Sequence, residues 1–165
     1  MLPLPTQAAR TRGRSSVAFE SAITGDSSWY GGAVDGCVRL AAVCAGGRLR
    51  AAHSAPTHHD MTAIDLLATV ELPVRIAGFD IAPGAAFGVA WTRVTTDDPH
   101  ALAPSLDLGG MRAGAQLAVA RRVVAAFSVE VSASFDRVLV GQVDAPTALP
   151  RSLARVGIGL RYVRR

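Results

Sequence analysis

Two adjoining stretches between Leu106 and Asp136 alternate so strictly that they admit one kind of local structure. From Val123 onward, Val123, Ala125, Phe127, Val129, Val131, Ala133 and Phe135 fall on one side, and Ser128, Glu130, Ser132, Ser134 and Asp136 on the other. Just before them, Met111, Ala113, Ala115, Leu117 and Val119 stand against Arg112, Gly114, Gln116 and Ala118. A period of two is the signature of a β-strand. Only Ala120 to Arg122 separates the two runs, which predicts a tight antiparallel hairpin. Each run keeps its alternation for close to the roughly 9–11 residues of a transmembrane strand, where an ordinary strand has roughly five or six.

The same pattern recurs along the chain. Ser15 to Ile23 sets Val17, Phe19 and Ile23 against Ser16, Glu20 and Ala22, and Trp29 to Val38 sets Tyr30, Val34 and Val38 against Asp35 and Cys37. Val43 to Ala52 opposes Leu49 and Ala51 to Arg48 and Arg50. Ile64, Leu66, Ala68, Val70 and Leu72 face away from Asp65, Thr69 and Glu71, with Pro73 as the stop. Phe79 to Thr95 separates Phe79, Ile81, Ala85, Phe87, Val89 and Trp91 from Asp80, Gly84, Gly88 and Thr92, and Pro83 within it predicts a bulge. The last strand sets Ala154, Val156, Ile158, Leu160 and Tyr162 against Arg155, Gly157, Gly159 and Arg161.

These make eight strands. The links at Arg39–Ala42, 74–77 and 120–122 are short, while three of the other four run to roughly eight residues or more. A meander of this kind gathers its short turns at one end and its long loops at the other. The fold class is all-β, an eight-stranded antiparallel up-and-down β-barrel, with residues 15–165 as one domain and residues 1–14 as a disordered basic segment. Asp26, Asp60, Asp97, Asp98, Asp136 and Asp144 collect toward the long-loop end, and Arg39, Arg75, Arg121 and Arg122 toward the short turns.

Apolar residues are 50% of the chain but aromatics only 5%, so small residues carry much of the apolar count, which is not the make-up of a dense globular core. All 17 basic residues are Arg, and the net charge is +4. They form neither a basic helix nor a stripe interleaved with aromatics, which argues against nucleic acid as a partner. No run of 18 apolar residues exists, so membrane contact would be through strands. Residues 1–14 carry Arg10, Arg12 and Arg14 without the apolar stretch of a secretory signal; export then requires that the chain as given begins after its signal, with Met1 not the true start.

The sign of the alternation discriminates between kinds of barrel. A soluble barrel turns its apolar face inward and its polar face to water. Here the polar face mixes charges with Gly, Ala and Ser, suited to a narrow salt-bridged interior, and the other face carries bulky Phe, Leu, Ile, Val and Trp, suited to lipid. The eight strands, the loop asymmetry and the closing Val156–Tyr162 strand together resemble the small eight-stranded outer-membrane barrels of the OmpA/OmpX type, over Ser15 to Val163. That resemblance implies a monomer in the bacterial outer membrane, with the lipid bilayer and the barrel-assembly machinery as partners. Its loops would meet a partner that the sequence does not name. The chain departs from the class in lacking a terminal aromatic, since Val163, Arg164 and Arg165 follow Tyr162. The competing reading is a soluble, lipocalin-like barrel that binds a small apolar ligand.

Glu20, Asp35, Asp65, Glu71, Asp80 and Glu130 share the polar face with Arg48, Arg50, Arg112, Arg155 and Arg161. They predict a nearly neutral, filled and non-conducting lumen, because buried ions must pair. A hairpin turn centred near Arg121 would set Arg112 opposite Glu130 at the middle of that network. Cys37 and Cys44 flank a tight turn and face one another if it centres on Leu40–Ala41, so a disulfide is expected after export. Phe87, Phe127, Val129, Phe135, Ile158 and Leu160 are expected to meet lipid near mid-depth, and Trp91 and Tyr162 to mark opposite interfaces.

Other candidates read as structure. His53, His58, His59 and His100 lie in two loops beside Asp60, Asp97 and Asp98, but their spacing matches no zinc signature, so no metal is expected. Ser128, Ser132 and Ser134 beside Glu130 are the small half of an alternating strand, with no His at their depth and no nucleophile-elbow motif. Gly157 and Gly159 precede no helix, so they form no nucleotide loop. Neither an enzyme nor a cofactor is expected.

Overall fold

The computed structural model describes residues 13–24, 27–55, 59–96, 105–141 and 151–163. Within them the strands are β1 (Gly13–Thr24), β2 (Ser27–Leu40), β3 (Val43–Ser54), β4 (His59–Glu71), a three-residue β5 (Val74–Ile76), β6 (Phe79–Thr96), β7 (Ser105–Arg122), β8 (Phe127–Gly141) and β9 (Ser152–Val163). Every pairing is antiparallel. β9 pairs with β1 and β4 with β6, so eight long strands close into an up-and-down barrel; β5 is a short rung beside the start of β6.

The register sets the barrel's shape. Followed around the ladders from Val163, the aligned residues are Arg14, Cys37, Gly46, Thr69, Ala86, Gly114, Asp136 and then Leu153, ten residues back along β9. A stagger of ten over eight strands inclines them by about 40° and gives a backbone radius of about 8 Å at ordinary strand spacings. Side chains alone fill a bore of that size.

Along the strands side chains alternate between buried and exposed. Val17, Phe19, Leu49, Leu66, Phe87, Phe135, Ile158 and Leu160 are among those that point outward, each well exposed. On β6 no charged side chain points outward from Phe79 to Trp91. At a rise of about 2.5 Å per residue along the tilted axis, that span covers about 30 Å, the thickness of a bilayer's hydrocarbon core. Arg121 lies over the Phe79 ring at 5.6 Å at one edge of the band, and Arg93 over Trp91 at 5.1 Å at the other. Phe127 and Tyr162 pack together at 5.3 Å beside the short turns, whereas Tyr30 and His53 meet edge-on at 5.9 Å toward the long loops.

Several expectations need correction. The β7–β8 turn spans residues 123–126, so Val123 and Ala125 belong to the turn, and Ala120 rather than Arg112 lies opposite Glu130. Arg112 is opposite Val138, next to a register irregularity. Pro83 introduces no bulge: β6 keeps its register through it, opposite Leu117. Its carbonyl accepts from Leu72 N–H at 2.9 Å, so its missing donor faces the break between β4 and β5, where the ladder is already interrupted. β5 and β6 join through Ala77 and Gly78, both at positive φ (49° and 84°), a two-residue hairpin turn whose twist suits the strands. Phe127 and Val129 do point outward, but Phe127 opens β8 beside the turn rather than at mid-depth. The strands also run farther than their alternation suggested; His53 belongs to β3, and β4 begins at His59.

Candidate functional site: the lumen and its two ends

Among the described residues, inward alternation brings six carboxylates and six guanidiniums into the bore, each side chain less than a tenth exposed. The acids are Glu20, Asp35, Asp65, Glu71, Glu130 and Asp136, and the bases Arg14, Arg48, Arg50, Arg112, Arg155 and Arg161. At mid-depth Arg50 reaches Glu20 at 2.7 Å, Asp136 at 2.8 Å and Asp65 at 3.4 Å. Arg155 joins Asp136 at 2.6 Å to Asp65 at 3.5 Å, and Arg112 approaches Asp65 at 3.9 Å. Arg48 links Glu20 at 3.9 Å to Asp35 at 3.4 Å.

Nearer the short turns, Arg14 bridges Glu71 at 2.5 Å and Asp35 at 3.7 Å, while Arg161 binds Glu130 directly. Asp35 also accepts from the Ser16 hydroxyl, and Gln116 donates to Glu71 at 2.8 Å. Equal numbers of each sign in so narrow a space are what burial requires, since an ion left without a partner there costs several kcal/mol. Inward glycines supply the room. A Cβ on Gly84 would sit 2.8 Å from Glu71 Cγ, and one on Gly114 would sit 2.3 Å from Asp136 Oδ1.

Toward the long loops the bore changes character. Ala22, Trp29, Met61, Ala63, Val94, Leu108 and Leu153, all buried, pack into one apolar cluster from the loop-side ends of six strands. Alternation read as polar inside and apolar outside missed it. The signal was available: Trp29, Met61, Leu108 and Leu153 have the parity of the lumen-facing charges on their own strands, and Val94 has the parity of the inward Ala82, Ala86 and Ala90 on β6.

At the other end Cys37 and Cys44 form a disulfide, with Cα atoms 5.6 Å apart. The register places Cys37 opposite Gly46 and Cys44 opposite Arg39, so the bond runs diagonally between the strands rather than straight across. Glycine at 46 permits this close approach, since a Cβ there would lie 2.6 Å from Cys37 Cα.

Of the expected network residues, Asp80 stays out of the lumen. It is partly exposed at the rim and lies 3.8 Å from Arg75. Its place among the acids is taken by Asp136, and Arg14, assigned to the basic segment, lies on β1 and inside the bore. The Arg112–Glu130 contact is replaced by Arg112–Asp65 and Arg161–Glu130. Ser128 and Ser132 line the lumen, Ser134 accepts a long hydrogen bond from Arg50 at 3.5 Å, and the Glu130 carboxylate is taken up by Arg161. Gly157 and Gly159 lie mid-strand in β9, and Trp91 and Tyr162 point outward at opposite ends of the barrel. Among the described residues no group of His, Cys, Asp and Glu could hold a metal; His58, Asp97, Asp98 and His100 lie outside them.

No protein-family model and no curated relative matches the chain. Solved structures do. The chain is similar to Neisserial surface protein A (TM-score 0.70, 10% identity, 92% of this chain and 96% of that one). It is similar to Ail, the attachment invasion locus protein of Yersinia pestis (0.63, 10% identity, 93% and 99%). It is also similar to the N-terminal β-barrel domain of Pseudomonas aeruginosa OprF (0.56, 13% identity, 94% and 100%). Identities this low speak for architecture alone, and on that evidence the chain has the fold of the small eight-stranded outer-membrane β-barrels.

Proposed function

We propose that the protein is a monomeric barrel of the bacterial outer membrane. In this reading it does not conduct, and its closed body is a rigid mount for loops that engage partners outside the cell. The observation that carries this is the inversion of an ordinary core, with ions paired inside and a continuous apolar band outside. The band needs lipid, because so large an apolar surface is not stable in water. Among the described residues the lumen has no continuous polar path, because the salt-bridged layer is followed by the apolar cluster around Trp29 and Leu153. The filled, charged interior also disfavours a lipocalin-like carrier, which would need an empty apolar cavity. Entry through the barrel-assembly machinery and a surface-interaction role go with the class; two similar proteins are named for the cell surface and for attachment.

The test has two parts. Expressed with an export signal, the protein should fractionate with outer membranes and leave them only with detergent. Reconstituted in planar bilayers, it should give no steady single-channel currents. A freely soluble monomer would remove the membrane reading, and regular unitary currents from wild type would remove the closed-lumen reading.

A further inference from the structure

The short-turn end holds a feature that neither the lumen network nor the apolar band requires. A cavity of about 250 Å³ opens there, lined by Arg14, Arg39, Arg75, Arg122 and Arg161, with Asp80 the only acidic lining residue among the described residues. It is smaller than the roughly 300–1,000 Å³ taken up by drug-sized ligands. Three of the five guanidiniums are partly neutralised: Arg14 by Glu71 and Asp35, Arg161 by Glu130, and Arg75 by Asp80 at 3.8 Å. Arg39 and Arg122 have no carboxylate partner among the described residues, and Arg39 donates only to the Ala41 carbonyl, at 3.1 Å. Arg14 is engaged by carboxylates through Nη2 alone; its Nε and Nη1 are buried without a hydrogen bond. The barrel therefore balances its charge through the bore and leaves an excess of positive charge around one small concavity at its mouth.

We propose that this mouth is a binding site for a phosphate-class oxyanion. Guanidinium forks match such oxygens in pairs. Several forks converging on one space suit a tetrahedral ion, which offers oxygens in more than one plane; a planar carboxylate does not. Arg39 and Arg122 supply the free charge at the rim, and Arg14 and Arg161 form part of the wall, held by their carboxylates. Two sources share this chemistry, a free phosphate or pyrophosphate and the phosphoryl headgroup of a phospholipid leaning over the rim.

Two experiments on the refolded barrel separate them. Pyrophosphate is titrated calorimetrically into protein held in an uncharged detergent, and in parallel phosphatidylglycerol retained from mixed micelles is counted by native mass spectrometry. The variants are Arg39→Gln and Arg122→Gln, both at exposed rim positions, with Arg93→Gln at the far end as the control for net charge. Loss of one charge-assisted contact should weaken binding about tenfold or more. Pyrophosphate binding weakened by the rim variants but not by Arg93→Gln supports the site with a soluble anion. Phosphatidylglycerol retention lost in the same pattern supports it with a headgroup. No binding in either arm, or equal weakening by all three variants, overturns the proposal.

Discussion

Replacing Arg50 by Met tests whether the lumen is held by paired charge. Arg50 is 2% exposed and, among the described residues, is the one guanidinium that touches three carboxylates, at 2.7, 2.8 and 3.4 Å. Without it Asp136 keeps Arg155 at 2.6 Å, and Asp65 keeps Arg155 and Arg112 at 3.5 and 3.9 Å. Glu20 keeps only Arg48, at 3.9 Å. One buried negative charge is then in excess. Breaking a buried pair from one side costs about 3–5 kcal/mol, against about 0–1 kcal/mol for an exposed pair. Adding Glu20→Gln restores neutrality, so the double variant should regain about 2 kcal/mol relative to additivity, within the range of coupling seen for residues in one network. Urea-driven folding and unfolding in detergent micelles, followed by the gel mobility of unboiled samples, measures all four corners of the cycle. A single variant that loses less than about 1 kcal/mol, or a cycle additive within about 0.5 kcal/mol, would refute the argument.

Three further predictions concern other parts of the barrel. Ile158→Arg, on the outward face near mid-depth, should lower stability in vesicles by about 2–4 kcal/mol, and Thr62→Arg, outward near the long-loop rim, by about 0–1 kcal/mol; equal costs would show that the band does not sit in lipid as drawn. Exported protein should migrate differently on reducing and non-reducing gels, with Cys37 and Cys44 unreactive to thiol reagents until reduced, and Cys44→Ser should cost at most about 2.5 kcal/mol because the closed loop is short. On the outer face beyond Trp91, Arg93 donates to Asp107 at 2.9 and 3.1 Å, and this hydrogen bonding holds the Asp107 carboxyl below its ordinary range. Because the folded value is the lower one, the pair's contribution is present above the ordinary carboxylate range and is lost as pH falls through the folded value. Arg93→Gln should return Asp107 to ordinary titration by NMR, and an Asp107 that already titrates normally in wild type would contradict the pairing.

Face was legible in the sequence and register was not, for one reason. Two-residue periodicity reports which way a side chain points, whereas the partner opposite it depends on where the turn falls. Val123 to Ala126 is uniformly apolar, without Gly, Pro or Asn, so no turn-forming residue marks it as a turn. Placing the β7–β8 turn too early shifted the pairing by eight residues, and the β2–β3 turn was off by two. Both slips are even, so every face stayed right while Arg112 lost Glu130 and the cysteines became diagonal; an odd slip would have turned both strands inside out.

Depth was equally hidden. Asp80 has lumen parity but lies at a strand's rim end, whereas Asp136, read as the loop-side end of its strand, and Arg14, read as tail, are in the bore. The apolar cluster escaped for two reasons: the strands read from Ile64 and Ala154 began after Met61 and Leu153, and Trp29, Val94 and Leu108, inside the stretches read as strand, were assigned to neither face. These five residues are where the lumen itself turns apolar.

The chain's two tryptophans stand on opposite sides of the barrel wall, which allows the central claim to be measured directly. Trp29 is 3% exposed inside the apolar cluster, and Trp91 is 36% exposed on the outer face at the edge of the band. In vesicles made with lipids brominated near the glycerol backbone, the Trp29→Phe variant reports Trp91 alone and the Trp91→Phe variant reports Trp29 alone. The account predicts strong quenching of Trp91 by the brominated lipid, and protection of Trp29 from both that lipid and aqueous iodide. Equal lipid quenching of the two, or iodide reaching Trp29 freely, would contradict a lipid-embedded barrel with a closed lumen.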